Sequence, residues 1–422
     1  MNTTKGLNND CFALPPGVKW TPVDEALALL QSRLNIAVGQ EVVTLGKAAN
    51  RIAAQDVKAV RANPPNANSA VDGYGFAAAS LPANGNVTLR LIEGRAAAGA
   101  PFAGVVPEGA VIRILTGASL PKGVDTVVLE EDVVAADDVV HFAAGLKPFS
   151  NARKAGEDVE AASLILRRGC LVSPPEIALM AATGVSEVSV FSRLRVGVLS
   201  TGDELLEVGE IATGDQIFDA NRPMLLTLLA QWGFDVVDLG RAPDDREALR
   251  DCLDRASQTV DAILTSGGAS AGDEDHLSAI LNAEGKVHSW RIALKPGRPL
   301  ALGQWQGVPL FGLPGNPVAA LVCTLIFARP ALFQMAGRDW LVPLGFDVPA
   351  AFQKSKKAGR REYLRARLTP EGHGEPFVSE GSGRISGLSW AQGLIELGDE
   401  AQQISPGDPV RFYPYANFGI TT

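Results

Sequence analysis

The stretch VDAILTSGGASAGDEDH, residues 260–276, decides the fold of the central part of this chain. Its apolar, partly β-branched opening at 260–264 predicts a buried strand. Small residues and glycines then occupy 266–272, and an acidic run at 273–275 precedes apolar residues with helical spacing. A strand that turns through glycines into a helix is the building block of α/β proteins, so we predict this fold class here.

Such a turn leaves backbone N–H groups and the positive end of the helix dipole directed at one spot, which suits an anion such as phosphate. Serine hydroxyls add donors, and the carboxylates could hold a divalent cation beside the anion. The pattern matches neither GxGxxG nor GK[ST], and a tight turn before an acidic helix start is the structural alternative. We predict binding residues here at Ser266, Gly267, Gly268, Ser270 and Gly272.

Outward from this stretch, residues 193–337 alternate strand and helix patterns, which predicts a mostly parallel sheet with helices on both faces. Acidic, small-residue loops at 200–204 and 243–245 also follow predicted strands. Ligands bind beyond the carboxyl ends of the strands in such sheets, so the loops are expected to share one rim. Lys295 and Arg298 could neutralise a phosphate or oxyanion there, the alternative being solvated charges in a proline turn.

The flanking regions have a different texture. Short β-like runs separated by breakers predict a small β domain at 59–148, inserted into an elongated domain made of 19–58 and 149–190. Residues 191–338 form the α/β domain, and 339–422 predict a C-terminal β barrel or sandwich. A basic cluster in that last region is read as a solvated face or as an attractor for an anionic substrate; it consists of Lys354, Lys356, Lys357, Arg360 and Arg361.

Composition excludes several classes. The chain has 422 residues, 46% of them hydrophobic and 20% charged, with a formal net charge of −9. These values predict a globular protein of several domains and argue against nucleic acid or an anionic membrane as a partner. No signal-peptide pattern or transmembrane run is recognised. Four scattered cysteines without CxxC spacing favour a reducing cytoplasm, and the histidines show no metal-ligand spacing.

Seven motifs, in this order, resemble those of the molybdopterin molybdenumtransferase family, which is related to the C-terminal domain of gephyrin. They are SAVDGYG (69–75), RILTGA (113–118), RKAGED (153–158), STGDEL (200–205), SGGASAGDEDH (266–276), KPGRP (295–299) and GLPGNPVA (312–319). The resemblance covers nearly the whole chain. It implies an elongated, multidomain homodimer with its active site between the α/β domain of one subunit and the inserted β domain of the other.

The resemblance also implies a reaction, in which adenylylated molybdopterin and molybdate give molybdenum cofactor and AMP in a magnesium-dependent hydrolysis. By motif, the implied catalytic residues are Asp72, Thr116, Glu204, Asp244 and Asp275, with Glu204 and Asp275 as the expected Mg²⁺ ligands. Pro314, Gly315 and Asn316 join the glycine-rich turn, Lys295 and Arg298 as expected substrate-binding residues. Asn316 and Pro317 also fit the cap and first residue of a helix reaching about 336.

Two positions depart from the family pattern, Gly75 after DGY and His276 after the acidic run. Three alternatives stay open. The first is molybdopterin adenylyltransferase, which shares the glycine-rich α/β domain but lacks the flanking regions. If the chain is instead the molybdenumtransferase, we expect it to contact that adenylyltransferase and the recipient apoenzymes transiently. A non-catalytic scaffold or cofactor carrier is the second alternative. A nicotinamide-dependent dehydrogenase is the third, although no ribose-binding acid is evident.

Overall fold

A computed structural model describes residues 20–82, 84–267, 276–297, 299–379, 381 and 383–420. The chain forms two compact units, one made of Met1–Gln40 with Phe191–Thr422 and the other of Glu41–Val190. The helices are α1 Val23–Arg33, α2 Pro174–Ala182, α3 Asn221–Gln231, α4 Arg246–Ser257, α5 His276–Ala283, α6 Pro317–Cys323, α7 Arg329–Met335 and α8 Ser386–Trp390.

The Glu41–Val190 unit is mainly β. A six-stranded sheet in the order β7-β4-β6-β5-β9-β8 is its largest part, and its inward faces bury Phe76, Val111 and Val140. The strands from this part of the chain are β1 Gln40–Thr44, β2 Val57–Lys58, β3 Asn68–Ser69, β4 Gly73–Phe76, β5 Asn86–Ala96, β6 Ala110–Ile114, β7 Thr126–Leu129, β8 Val133–Ala136, β9 Val139–Ala143, β10 Ala152–Arg153, β11 Leu164–Leu166 and β12 Glu187–Phe191.

Helix starts depend on local chemistry, and two of them show how far sequence rules reach. Thr21 and Pro22 suggest a threonine cap for α1, but Pro22 is the N-cap residue and no side chain caps the helix. Helix α2 has a full capping box, in which the Ser173 N–H donates to Glu176 Oε2 at 3.1 Å. The difference follows from the position of proline: at the N-cap of α1 it offers no side-chain acceptor, whereas in α2 it follows the capping serine.

In the other unit, residues 191–338 form a six-stranded sheet in the order β16-β13-β17-β21-β20-β18. In this part of the chain β14 and β15 pair only with each other, and β19 belongs to the next sheet. The strand bounds are β13 Arg195–Thr201, β14 Leu205–Leu206, β15 Ile217–Phe218, β16 Asp235–Ala242, β17 Ala262–Ser266, β18 Lys286–Arg291, β19 Leu294–Lys295, β20 Pro299–Trp305 and β21 Val308–Leu313. Leu199, Ile263 and Leu310 on the central strands pack with Leu249 of α4 and Leu277 of α5.

The sheet is mixed rather than wholly parallel. Strands β16, β13, β17 and β21 run parallel to one another. Strand β20 pairs antiparallel with β21, and β18 pairs antiparallel with β20. The hairpin between β20 and β21 turns through Gln306 and Gly307, whose φ values are +48° and +87°. A two-residue turn with positive φ at both positions joins antiparallel strands, so local turn chemistry overrides the alternating rhythm that predicts a parallel sheet.

Residues 339–420 add a second mixed sheet. Its strands run in the order β19-β24-β26-β28-β22, with β25 paired to β24, and β23 pairs separately with β27. The bounds are β22 Phe346–Pro349, β23 Lys354–Lys356, β24 Arg361–Leu368, β25 Gly374–Pro376, β26 Gly393–Leu397, β27 Gln402–Ile404 and β28 Pro409–Pro414. Among the described residues the strand order has two ends, β19 and β22, so the region predicted as a β barrel or sandwich is an open half-barrel.

One segment of the described chain, Pro317–Met335, is long and apolar enough to cross a membrane by length and composition. It comprises α6, a π-helical turn at Thr324–Ala328 and α7. Of its most apolar window, 89% is buried inside the protein. A core helix passes the same composition test, and burial of this extent identifies it as one.

Candidate functional site

The rim of the α/β sheet is held together by a buried amide that the sequence motifs do not single out. Asn221, the first residue of α3, donates from Nδ2 to Ser266 Oγ and to the carbonyl oxygen of Gly315, both at 2.7 Å. Its side chain is buried, and so is that of Ser266. These two bonds join the end of β17 to the loop before α6, so the predicted residues Ser266 and Gly315 lie at one place.

Glycine is required where β17 ends. Gly267 has φ +95°, and a Cβ there would meet the carbonyl oxygen of Thr201 at 2.6 Å and its Oγ1 at 2.8 Å. A Cβ on Gly315 would lie 3.7 Å from Gly267 Cα. The ends of β13, β17 and β21 therefore approach within contact distance, because Gly267 and Gly315 carry no side chain at the meeting point.

The turn at 295–297 packs against the same loops. Gly297 has φ +104°, and a Cβ there would lie 3.4 Å from Pro314 and 3.3 Å from Ala319 of α6. Asn316 Oδ1 accepts from the Val318 N–H at 3.2 Å, so the predicted helix cap is confirmed. The motifs KPG and GLPGNP thus form one continuous surface with the end of β17.

Carboxylates lie beyond β13 and β16. Asp203 Oδ1 accepts from the Asp244 N–H at 3.1 Å, and Asp244 Oδ2 accepts from the Asp203 N–H at 3.3 Å. Glu204 follows directly, and its carboxylate lies against Gly202, where a Cβ would be 2.4 Å from Glu204 Oε2. All three acids are exposed. Asp203, which sequence reasoning did not select, is thus the partner of Asp244.

Carboxylate oxygens are ligands of the type that Mg²⁺ prefers. Within the described part of the chain, no group of three or more His, Cys, Asp or Glu side chains is arranged to hold a metal. Asp275, the second predicted ligand, lies outside the described residues, as do Gly268, Ser270, Gly272 and Arg298. The roles of these five residues stay predictions.

Lys295 lines a basic pocket. This pocket has a volume of about 190 Å³ and lies between the first turn of α6, at Val318, and strands of the second sheet. Lys354 and Arg365 supply two further cations to its wall, and Phe352 and Phe377 supply apolar surface. No Asp or Glu is among the described residues that line it. A small concave site with several cations and no carboxylate on its wall is suited to an anion.

Arg365 is the least expected member of this pocket. Its guanidinium donates to the carbonyl oxygens of Arg384 and Ser379, both at 2.6 Å, and of Gly381 at 3.1 Å. It is 4% exposed, and burial lowers its pKa. Every residue in the centre of β24 is buried, which is the signal that marks Arg365 as unusual. Arginine is rarely buried without a paired anion. Within the described residues the Arg365 guanidinium is bonded to carbonyl oxygens, so it is a candidate for contact with an anionic ligand.

Part of the basic cluster after residue 353 is not a solvated face. Lys356 is 3% exposed and donates from Nζ to the carbonyl oxygens of Lys357 and Glu400, both at 3.0 Å. Arg361 forms ion pairs with Asp24 at 2.8 Å and Asp399 at 3.0 Å. The solvated-face interpretation is therefore wrong for Lys356, which alternation along β23 turns inward, and for the paired Arg361, whereas Lys357 is exposed.

In the Glu41–Val190 unit, Asp72 and Thr116 form a pair. Asp72 Oδ1 accepts from both the N–H and the Oγ1–H of Thr116, each at 2.6 Å. The hydroxyl donor, followed by the backbone donor, lowers the pKa of Asp72. Asp72 is therefore an anion at neutral pH, held in a fixed orientation by a residue 44 positions away in sequence.

Close packing explains the glycines beside Asp72. A Cβ on Gly73 would lie 1.9 Å from the Val128 carbonyl oxygen, so only glycine fits at that position. At Gly75 a Cβ would lie 2.8 Å from Val124 Cγ1, so this departure from the family pattern is matched by its neighbour. The second departure, His276, is the first residue of α5 and is half-buried.

Comparison with known proteins places this geometry in a family. Three family models match in succession: the MoeA N-terminal region (domain I and II) over residues 21–184, the probable molybdopterin binding domain over 197–334, and the MoeA C-terminal region (domain IV) over 347–415. A molybdopterin molybdenumtransferase of Haemophilus influenzae is 35% identical over 93% of this chain and 98% of its own. The chain belongs to the molybdopterin molybdenumtransferase family.

Further members of the family agree. Molybdopterin molybdenumtransferase 2 of Mycobacterium tuberculosis is 32% identical over 88% of this chain and 94% of its own. A crystal structure of the molybdopterin biosynthesis moeA protein from Pyrococcus horikoshii OT3 is 26% identical, with a TM-score of 0.82 over 94% of this chain and 100% of that one. The resemblance drawn from the seven motifs is thereby confirmed, and so is the enzyme class, a transferase of molybdenum cofactor biosynthesis.

Proposed function

We propose that this protein inserts molybdate into adenylylated molybdopterin, with hydrolysis of the phosphoanhydride and release of AMP. The observation that carries the proposal is the basic pocket beside α6. Val318 in the first turn of α6 lines this pocket, and the cap loop of the same helix is tied to β17 through Asn221. One compact unit thus offers an oxyanion site next to a rim suited to a phosphorylated ligand.

In this proposal the pocket takes molybdate. A tetrahedral dianion needs several donors and little volume, and Lys295, Lys354 and Arg365 provide charge-assisted donors on the wall. The Phe352 and Phe377 rings lower the local dielectric constant, which strengthens these contacts. In this proposal Lys295 neutralises an oxyanion. The sequence analysis leaves open whether it neutralises a phosphate or an oxyanion.

The rim takes the phosphate groups. We expect the glycine-rich turn that follows β17 in the sequence to supply backbone N–H donors, and Ser266 adds a hydroxyl group. Three other buried hydroxyl groups lie along the ends of β13 and β17, and their oxygens have no hydrogen-bond partner within the described chain: Ser200, Thr201 and Thr265. Buried hydroxyls need partners, and a polyanionic, heteroatom-rich ligand offers them.

The acids complete the proposal. Glu204 would hold Mg²⁺ together with Asp275, and the bound ion would offset charge on the phosphoanhydride. Fixed carboxylates beside a phosphoanhydride also position water for attack on phosphorus. Asp72 and Thr116 keep the catalytic roles that the family motifs imply for them. Phosphoryl cleavage of this kind relies on positioning and charge rather than on a covalent nucleophile.

The test is AMP release from adenylylated molybdopterin at varied molybdate concentration. Lys295→Met keeps the apolar stem and removes one charge-assisted donor, so the molybdate KM should rise about 10–100-fold. Lys286→Met, on β18 outside the pocket lining, is the matched control. Asp275→Asn should fold normally and lose AMP release. Formation of adenylylated pterin from ATP would instead establish the adenylyltransferase alternative.

We also propose a cytoplasmic homodimer. Sedimentation of the purified protein at micromolar concentration should give a particle of two chains, and a monomer at that concentration would contradict this part of the proposal. Contacts with an adenylyltransferase and with recipient apoenzymes are expected to be transient.

A further inference from the structure

Behind the basic pocket one carboxylate contacts two lysines. Glu362 Oε2 lies 3.3 Å from Lys295 Nζ and 3.3 Å from Lys354 Nζ. Glu362 is 9% exposed. Lys295 and Glu362 are register partners in the parallel pairing of β19 with β24, so the strand geometry itself fixes this contact.

Glu362 contacts both lysines without lining the pocket. The wall carries Lys295, Lys354 and Arg365, whereas Glu362 is not among the residues that line it. Because Glu362 is buried, solvent screens its charge only weakly. Its negative potential therefore reaches any anion held by the two lysines, and it opposes part of their attraction.

We propose that Glu362 limits the affinity of this pocket for a doubly charged oxyanion, so that the bound ion can be handed on. The inference rests on the proposed function, in which the pocket takes molybdate. An enzyme that binds one substrate too tightly in the ground state gains nothing in rate, because only interactions strengthened in the transition state accelerate the reaction. A carboxylate behind two lysines lowers ground-state affinity while keeping both donors in place.

The charge dependence gives the inference a quantitative signature. A change in potential at the pocket acts on each unit of ligand charge, so its effect on the free energy of binding doubles from a monoanion to a dianion. The fold-change in affinity for the dianion should therefore be the square of that for the monoanion. Molybdate and perrhenate are suitable probes, because both are tetrahedral MO₄ ions and they differ by one charge.

The experiment uses Glu362→Gln in the full-length protein, with affinities measured by calorimetry at one ionic strength. The dissociation constant for molybdate should fall by about tenfold or more, and that for perrhenate by about the square root of this factor. In the AMP-release assay the molybdate KM and kcat should fall together. Glu371→Gln, an exposed glutamate in the same region that does not line the pocket, should change neither affinity.

The outcomes are distinct. Weaker or unchanged binding of molybdate to Glu362→Gln would overturn the inference, because Glu362 would then only position the lysines. An equal fold-change for both ions would overturn it too, since charge would not be the cause. If the unmodified protein binds molybdate nowhere near Lys295, as judged by Lys295→Met, the proposed function of the pocket fails instead.

Discussion

Replacing Asn221 by alanine should loosen the rim of the α/β sheet. The change removes two hydrogen bonds of 2.7 Å, to Ser266 Oγ and to the Gly315 carbonyl oxygen. Each such bond contributes about 1 kcal/mol net, and water can reach the exposed Gly315 backbone but not Ser266. We therefore expect a local loss of about 2 kcal/mol, equivalent to roughly a thirtyfold change in an opening equilibrium.

Hydrogen exchange measures this loss where it occurs. The Gly267 N–H donates to the Leu313 carbonyl oxygen at 3.3 Å, so its exchange reports separation of β17 from the loop before α6. Exchange at Gly267 should be about thirtyfold faster in Asn221→Ala. Asn282→Ala, on the exposed side of α5, is the control and should leave it unchanged. Equal protection in both variants would refute the bridging role of Asn221.

Asn221→Asp tests the donor separately from side-chain size. An ionised carboxylate only accepts hydrogen bonds, so it cannot replace Nδ2 opposite the Gly315 carbonyl. Burial raises the pKa of such a carboxyl above its value of about 3.9 in the unfolded chain. The deficit in stability should thus be small below pH 4 and should grow as pH rises towards the folded-state pKa. A pH-independent deficit would contradict this account.

Other predictions concern the remaining features. In Thr116→Val the pKa of Asp72 should rise towards its ordinary value, because the hydroxyl donor is lost while the backbone donor stays; NMR titration of Asp72 measures this, and an unchanged pKa would contradict the assignment. Gly75→Ala should lower the free energy of unfolding by about 1–3 kcal/mol through contact with Val124, and Val124→Ala added to it should restore part of the loss in urea titration. Phe418→Ala should cost about 3–5 kcal/mol, because Phe418 is fully buried; a loss below 1 kcal/mol would show that the C-terminal turn is not part of the core.

The sequence predicts well what is decided locally. The Asn316 cap and the proline at 317 each act within one helical turn, and both are where they were expected. The strand–glycine pattern also identifies β13, β16 and β17 with their parallel pairing. These features need no knowledge of distant contacts, because capping and strand burial leave a mark in neighbouring residues.

What the sequence does not predict depends on residues that are far apart along the chain. Asn221 bridges to Gly315 across 94 positions, and Lys295 meets Glu362 across 67. Arg365 looks like an ordinary charge in a strand until the pairing of β24 with β26 and β19 shows that it is buried. The hairpin at Gln306 and Gly307 is a local signal, but the alternation of strand and helix patterns around it predicts parallel strands instead.

The short strand β19 has a consequence for anyone who wishes to dissect the protein. It leaves the α/β sheet at Leu294–Lys295 and becomes a strand of the half-barrel, alongside β24. A cut near residue 338, where the sequence pattern changes, would place β19 and β24 on different fragments and so separate two hydrogen-bonded strands. In the C-terminal fragment Arg361 and Glu362 of β24 would lose their partner strand and could pair with other chains, and the α/β fragment would lose the partner of its own lysine. Excised pieces of this subunit are therefore poor surrogates for the intact enzyme.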